Sequence, residues 1–387
     1  MARRLSHVWP VEIYSYTLED PALDTGWGDL TLHRVRPNIA RPELVKSTYF
    51  YGATLPSLSL RRLLRSRGDT LIHAAGACSL ISDVVQVHFV QAAWKGTRRR
   101  LPENLRRPPR AGQSSGARSL LMKGYYDFLL NFNVASERLT FRPGKTYIAV
   151  SQGIARELHQ WLGLDENVHV VRHGIDASLF HPADGATMGE RETTRRGLGI
   201  PPDGIAVLFV GAFDRKGLAT AIDAAALLPP RTLERIRLLV VGSGDRERYI
   251  AQAKSRGISD RLVFAGYQRE VASYFRAADI FLFPTLYEPF GMAILEAMAS
   301  GLASIVSRRA GAAELIVHGE SGLLLEEPSD AREIAAALGP LVESAGARAE
   351  MGRQARIIAE RRSWDVVARE YAAALEPLMK RASGGRR

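Results

Sequence analysis

The chain has 387 residues, 46% of them hydrophobic and 24% charged, a balance that supports sizeable buried cores and excludes disordered and fibrous classes. At roughly 100–200 residues per domain, two domains are expected. The 52 Lys and Arg against 41 Asp and Glu leave a net charge of +11, which points to an acidic partner: nucleic acid, anionic lipid or a phosphorylated ligand.

The chain reaches Pro10 and Glu12 before any apolar run of signal-peptide length can form. Strands are expected over 11–18, 30–36, 69–75 and 84–92. The weakly charged stretch from Thr70 to Trp94 is broken by His73, Asp83 and His88, so it does not read as a membrane span. Cys78 has no partner for an internal disulfide and no Cys/His cluster for a structural metal, which suits a reducing compartment; a soluble cytoplasmic protein is expected.

Residues 95–123 then carry nine basic residues against Glu103 alone, most of the net excess. Their Pro, Gly and Ser content reads as a loop, and a helix follows over about 118–135. Its LLMKGYYDFLL run suits either an ordinary core-facing helix or an amphipathic helix at a membrane interface. A strand over 146–151, a helix over 152–162 and a strand over 168–174 complete the first half.

A polar stretch rich in Gly and Pro, 185–203, reads as a linker with a short entry helix. Beyond it strands at 205–211, 236–242, 261–266, 279–284, 302–307 and 321–326 alternate with helices at 217–228, 245–256, 271–278, 291–300 and 312–317. Alternation of this kind means a parallel, doubly wound sheet. Three more helices are expected at 330–344, 347–361 and 364–382. Two Rossmann-like domains facing across a cleft is the architecture inferred.

The segment FLFPTLYEPFGMAILEAMASG, 281–301, is the most informative. A strand runs to Pro284, a loop carries Glu288, Pro289 and Phe290, and a helix starts near Gly291 and stops before Gly301. Glu288 and Glu296 are eight positions apart, about 12 Å if the interval were wholly helical. That is comparable with the span of a nucleotide sugar from sugar ring to ribose. The N–H groups at Gly291, Met292 and Ala293 would suit the phosphates between. Taken as an isolated pair, the two glutamates read more simply as a loop carboxylate and a solvated helix face.

The segment resembles the E-x7-E signature of retaining glycosyltransferases of the family 4 type, with the GT-B fold. The resemblance continues through VGAFDRKG (210–217), VVGSG (240–244), VFAG (263–266), YFRAADIFLFP (274–284), SRRAGAAELI (307–316) and ESGLLLE (320–326). Upstream, the closing strands of an N-terminal domain and a His-Gly-Ile-Asp turn at 173–176 follow the same pattern.

The resemblance implies that Arg215 and Lys216 bind the donor diphosphate and neutralise the leaving group. It implies that Glu288 contacts sugar hydroxyls and helps stabilise an oxocarbenium-like state, and that Glu296 grips the ribose. Backbone at Phe290, Gly291 and Met292 would meet the sugar or phosphate, Gly211, Gly242 and Gly266 would line the donor site, and His88 would face the donor sugar as a fourth catalytic residue with Arg215, Lys216 and Glu288. No cofactor and no metal are implied; no Asp-x-Asp pair is present, and basic side chains with a helix end take the place of a divalent ion. The donor is a nucleotide-diphosphate sugar and the acceptor a glycan or lipid-linked molecule.

Residues 1–184, with 364–387 crossing back, would form the acceptor-side domain, 185–203 the linker and 204–363 the donor domain. Against the family pattern, the N-terminal domain lacks its first strand and glycine-rich loop, so a start upstream of Met1 is expected. That departure motivates the alternative of a degenerate homologue that binds nucleotide sugar or membrane without turnover. The basic segment and helix of 95–135 motivate peripheral docking on an anionic membrane, at the inner face of the plasma membrane. No nucleic-acid module is recognisable, and nucleic acid is not expected as a partner.

Overall fold

The structure, a computed structural model, describes residues 2–5, 9, 11–15, 30–34, 71–77, 79–100 and 117–384. Two units are present: Met1–Lys95, Asp127–Arg172 and Trp364–Arg387 form one, Gly96–Tyr126 and His173–Ser363 the other. Residues 173–184, expected with the first domain, therefore group with the second. Of the basic segment, 101–116 lie outside the described residues, as does Cys78.

In the first unit β1 (Val11–Ser15) and β2 (Leu30–Arg34) form a parallel pair. β3 (His73–Ala75), β4 (Val84–Val87), β5 (Thr146–Ala149) and β6 (Val168–Val170) form a parallel sheet in that order. Val84, Val85, Val87, Tyr147, Ile148 and Ala149 are wholly buried, the continuous apolar signature of strands covered on both faces. The last helix, Trp364–Gly384, packs Val367, Tyr371 and Leu375 onto Val84, Ile148 and Val171.

The helix expected at 152–162 is Gln152–Leu162, stopped by Gly163 in the left-handed conformation and started by Ser151, whose hydroxyl accepts from the Ile154 N–H at 3.1 Å. The strand expected over 84–92 is shorter: it ends at Val87, and a helix, Gln91–Arg100, begins where strand was expected. The helix expected over 118–135 runs instead from Ala117 to Thr140, and its added turn buries Glu137 and Thr140.

The second unit holds β7 (Ile205–Ala212), β8 (Ile236–Ser243), β9 (Leu262–Gly266), β10 (Ile280–Phe283), β11 (Ala303–Ser307) and β12 (Leu323–Leu325). All pair in parallel, in the order β12-β11-β10-β7-β8-β9. Ile205, Val207 and Phe209 of β7 join Leu218, Ile222, Leu238 and Ile305 in one core. A short helix, Pro230–Arg235, occupies a Pro-Pro stretch that reads as a helix stop; proline is tolerated in a first turn, where its missing N–H costs no bond. The helix expected at 312–317 is a 3-10 turn, Gly311–Leu315.

The presumed linker 185–203 is firmly attached to this unit. Its helix Met188–Gly197 sends Arg191 and Arg195 to the two oxygens of Asp279, at 2.7 and 2.9 Å, and the Ala206 N–H donates to the same carboxylate at 2.7 Å. Arg195 also donates to the carbonyls of Ala277, Pro201 and Gly204, so both terminal nitrogens of the buried guanidinium are engaged. Among the described residues no helix is long and apolar enough to cross a membrane.

Strand order places the site. From β7 the chain winds outward through β8 and β9, then returns to the other side of β7 as β10. The loops after β7 and β10 thus diverge at a topological switch point, where open parallel sheets bind ligands at the carboxyl ends of their strands.

Candidate active site

The loops after β7 and β10 lie in backbone contact. A Cβ on Gly217 would stand 2.2 Å from the Pro284 carbonyl oxygen, and Gly217 has φ +83, so only glycine fits. The Arg215 carbonyl accepts the Leu286 N–H at 3.0 Å and the hydroxyl of the fully buried Thr285 at 3.3 Å. Asp214 is held from the other side by Arg248 and by the Tyr249 hydroxyl, both at 2.8 Å. At the neighbouring strand end a Cβ on Gly242 would lie 2.1 Å from the Gly211 carbonyl oxygen.

This frame sets Lys216. Its stem lies over Gly211, its ammonium sits 4.7 Å from the centre of the Phe283 ring, and it forms an ion pair with Glu288 Oε2. Lys216 is 9% exposed. Burial, then the neighbouring Arg215 guanidinium, push the ammonium down to about 7, while the Glu288 carboxylate works to keep the proton on.

Glu288 is fixed through its backbone. Its carbonyl accepts from Gly311 at 2.9 Å, and the Phe290 carbonyl accepts from Ala312 at 2.7 Å, which zips the loop to the segment after β11. Gly291, at φ +96, is the N-cap of the helix Met292–Ala299 and provides no side-chain cap, so the first N–H groups of that helix keep their capacity for a ligand. Buried Phe290 meets His173 edge to face at 4.8 Å.

Along this helix Ile294, Leu295, Ala297 and Met298 are buried, while Met292, Ala293 and Glu296 share the partly open face. The Glu296 carboxylate has no hydrogen-bond or ion partner among the described residues, and burial pushes it up to about 7. The interval from Glu288 to Glu296 is loop followed by helix, so the wholly helical spacing expected above does not apply.

Arg215, Lys216, Gly211, Gly242, Glu288, Phe290, Gly291 and Met292 are therefore gathered at the carboxyl ends of β7, β8 and β10, with Glu296 on the adjoining helix. Gly266 ends the edge strand β9, with a left-handed φ of +72 and open space around it. His88 belongs to the first unit, exposed just beyond β4, and partial desolvation lowers its pKa from the usual imidazole range. Thr285, Tyr249 and Arg248, which hold the loop frame, were missed by sequence reasoning: each acts through a partner distant in sequence.

Two α/β units built on parallel sheets, one with a cationic turn, two glutamates and an uncapped helix end at its switch point, fit the GT-B fold. The family described as Glycosyltransferase Family 4 matches residues 1–179, and Glycosyl transferases group 1 matches residues 190–357. Between them, these two glycosyltransferase family models match most of the chain.

It is 36% identical over 224 residues to a D-inositol 3-phosphate glycosyltransferase of Acidothermus cellulolyticus, covering 54% of this chain and 48% of the relative. It is 30% identical over 223 residues to the mannosylfructose-phosphate synthase of Agrobacterium fabrum, covering 54% and 48%. The chain spans about half the length of these curated relatives. Among solved structures, WaaG, a glycosyltransferase involved in lipopolysaccharide biosynthesis, superposes with a TM-score of 0.71 at 21% identity, covering 96% of this chain and 93% of that one. Anabaena HepE in complex with UDP and glucose gives 0.67 at 20% identity, covering 97% and 94%.

Proposed function

We propose that the protein moves a sugar from a nucleoside-diphosphate-sugar donor to a glycan or lipid-linked acceptor, with retention and without a metal ion. The observation that carries this reading is the Lys216–Glu288 pair set beside the uncapped end of the helix Met292–Ala299. It is supported by HepE, which holds UDP and glucose, and by relatives named for glycosyl transfer.

Lys216 and Glu288 neutralise one another. A donor would separate them: the ammonium turns to the diphosphate and the carboxylate to sugar hydroxyls. As the bond from the anomeric carbon to phosphate breaks, Arg215, Lys216 and the helix end stabilise the charge that collects on the leaving diphosphate. Glu288 faces the positive charge that develops on the sugar, and Glu296 accepts hydrogen bonds from the ribose. His88 contributes a hydrogen bond to the sugar. The acceptor hydroxyl then attacks on the face the diphosphate leaves, its proton passing to a departing phosphate oxygen, which keeps the anomeric configuration.

A thermal-shift screen over nucleoside diphosphates and their sugars tests the donor class. A ligand at 100 times its dissociation constant is expected to add about 2.7 kcal/mol. No shift with any of them, together with no transfer product, would overturn the reading.

The lysine adds a pH dependence. Above about pH 7 the unliganded Lys216 loses its proton, whereas a bound diphosphate favours the ammonium, so binding takes up a proton. Calorimetry is expected to show affinity for a nucleoside diphosphate weakening above that pH by up to about tenfold per unit. Lys216→Arg should flatten the profile.

We also propose peripheral docking on an anionic membrane through 95–135. On the helix Ala117–Thr140 the exposed Phe128 and Leu139 and the partly exposed Phe132 lie along one face, and the basic run precedes it in sequence. Vesicles rich in anionic lipid should co-sediment the protein at low salt and neutral vesicles should not; equal recovery would count against docking by charge.

A further inference from the structure

The helix Gln91–Arg100 begins without a cap of its own. The residue before it is Val90, wholly buried and with no side-chain acceptor, so its first N–H groups must be satisfied from elsewhere. They are met by Glu137, forty-six positions away on the helix Ala117–Thr140. One carboxylate oxygen accepts the Gln91 N–H at 2.7 Å and the other accepts the Ala92 N–H at 3.0 Å. Glu137 is 1% exposed.

A buried carboxylate is expensive unless both oxygens are engaged, and here a helix N-terminus engages both. Desolvation raises its pKa, while the two backbone bonds oppose that rise and favour the anion. The contact lies just past the end of the strand. Val87 closes β4, Gln91 opens the helix, and only His88, Phe89 and Val90 connect them. Val87 and Val90 are both fully buried, so with Gln91 pinned the turn has little freedom and His88 is left on its exposed crest.

We propose that Glu137 is a positioning residue: by clamping the N–H groups of Gln91 and Ala92 it sets where the His88 imidazole stands. This rests on the reading that His88 contacts the donor sugar. Glu137→Gln keeps one acceptor oxygen and turns an amide NH2 toward the second N–H, so the clamp opens on one side without a cavity.

In the full chain, Glu137→Gln should remain folded and bind a nucleoside diphosphate as the wild type does, because the diphosphate-binding residues lie on the second unit. Transfer kcat should fall by about 10–100-fold, the cost of misplacing a reacting group by about an ångström. The NMR titration of the His88 ring should shift its midpoint. Gln91→Pro removes one of the two donors at a helix position that tolerates proline, and should give a smaller loss in the same direction even if Glu137→Gln fails to fold.

Wild-type kcat together with a wild-type His88 titration in either folded variant would overturn the proposal. His88→Ala separates the two claims. If it leaves kcat unchanged, the role of His88 in transfer fails, and the shift of the His88 titration alone then decides whether Glu137 places that ring.

Discussion

Lys216→Ala is expected to lower kcat for sugar transfer by about 10²–10³-fold, the usual cost of removing one preorganised donor from developing charge. The same change strands Glu288, whose side chain is 12% exposed, without its counter-ion, so the melting temperature should fall as well. Glu288→Gln behaves differently. It releases Lys216 from its resident partner, so the affinity for a bare nucleoside diphosphate is expected to hold or rise while kcat falls. In Lys216→Ala/Glu288→Gln the stability lost by the first change should be partly restored, because no charge remains buried alone. Steady-state kinetics and calorimetry on the four proteins check this. A kcat for Lys216→Ala within threefold of wild type would remove Lys216 from the mechanism.

Gly217→Ala is the largest expected loss of stability at the site. The new methyl would stand 2.2 Å from the Pro284 carbonyl oxygen, and the residue would be held at φ +83, where a side chain is strained. A backbone oxygen cannot rotate aside as a flexible side chain can. The loops must therefore part, which breaks the bonds from Leu286 and Thr285 to the Arg215 carbonyl. About 3 kcal/mol or more is expected, read as a fall of roughly 6–12 °C in the transition of the second unit. Diphosphate affinity should fall with it, since Lys216 and Glu288 depend on the same contact. Gly266→Ala is the control: its φ is also positive, but open space surrounds its Cβ position, so only the strain of the backbone is felt.

Much of the second unit was legible because its signals are local. Six apolar runs separated by helix-period stretches specify a parallel sheet, and all six strands formed within a residue or two of expectation at each end. Arg215, Lys216, Glu288 and Gly291 stand out for a similar reason: each sits in a short loop between a strand and a helix, where chain order alone puts a side chain or an open N–H at the carboxyl end of the sheet.

Errors arose where a local signal met a distant partner. The run 84–92 reads as one strand because Val, Phe and Ala are apolar in either conformation, and nothing near Gln91 announces a helix start. The acceptor that starts it is Glu137. The stretch 185–203 reads as a linker from its polarity, but Arg191 and Arg195 find Asp279 at the foot of β10 and fasten it down.

By itself the sequence determined the class of most elements, the order of the strands in the second unit, and the residue types at the loop ends. Those depend on periodicity, turn chemistry and glycine, all readable within a dozen residues. The tertiary structure alone decided that β10 lies beside β7, that Gly217 meets Pro284, that Lys216 pairs with Glu288, and that Glu137 starts a helix far from it in the chain. The reason is physical. Side chains far apart in the chain become partners only after crossover connections close, and a buried charge or an orphan N–H selects its partner from whatever that closure brings within reach.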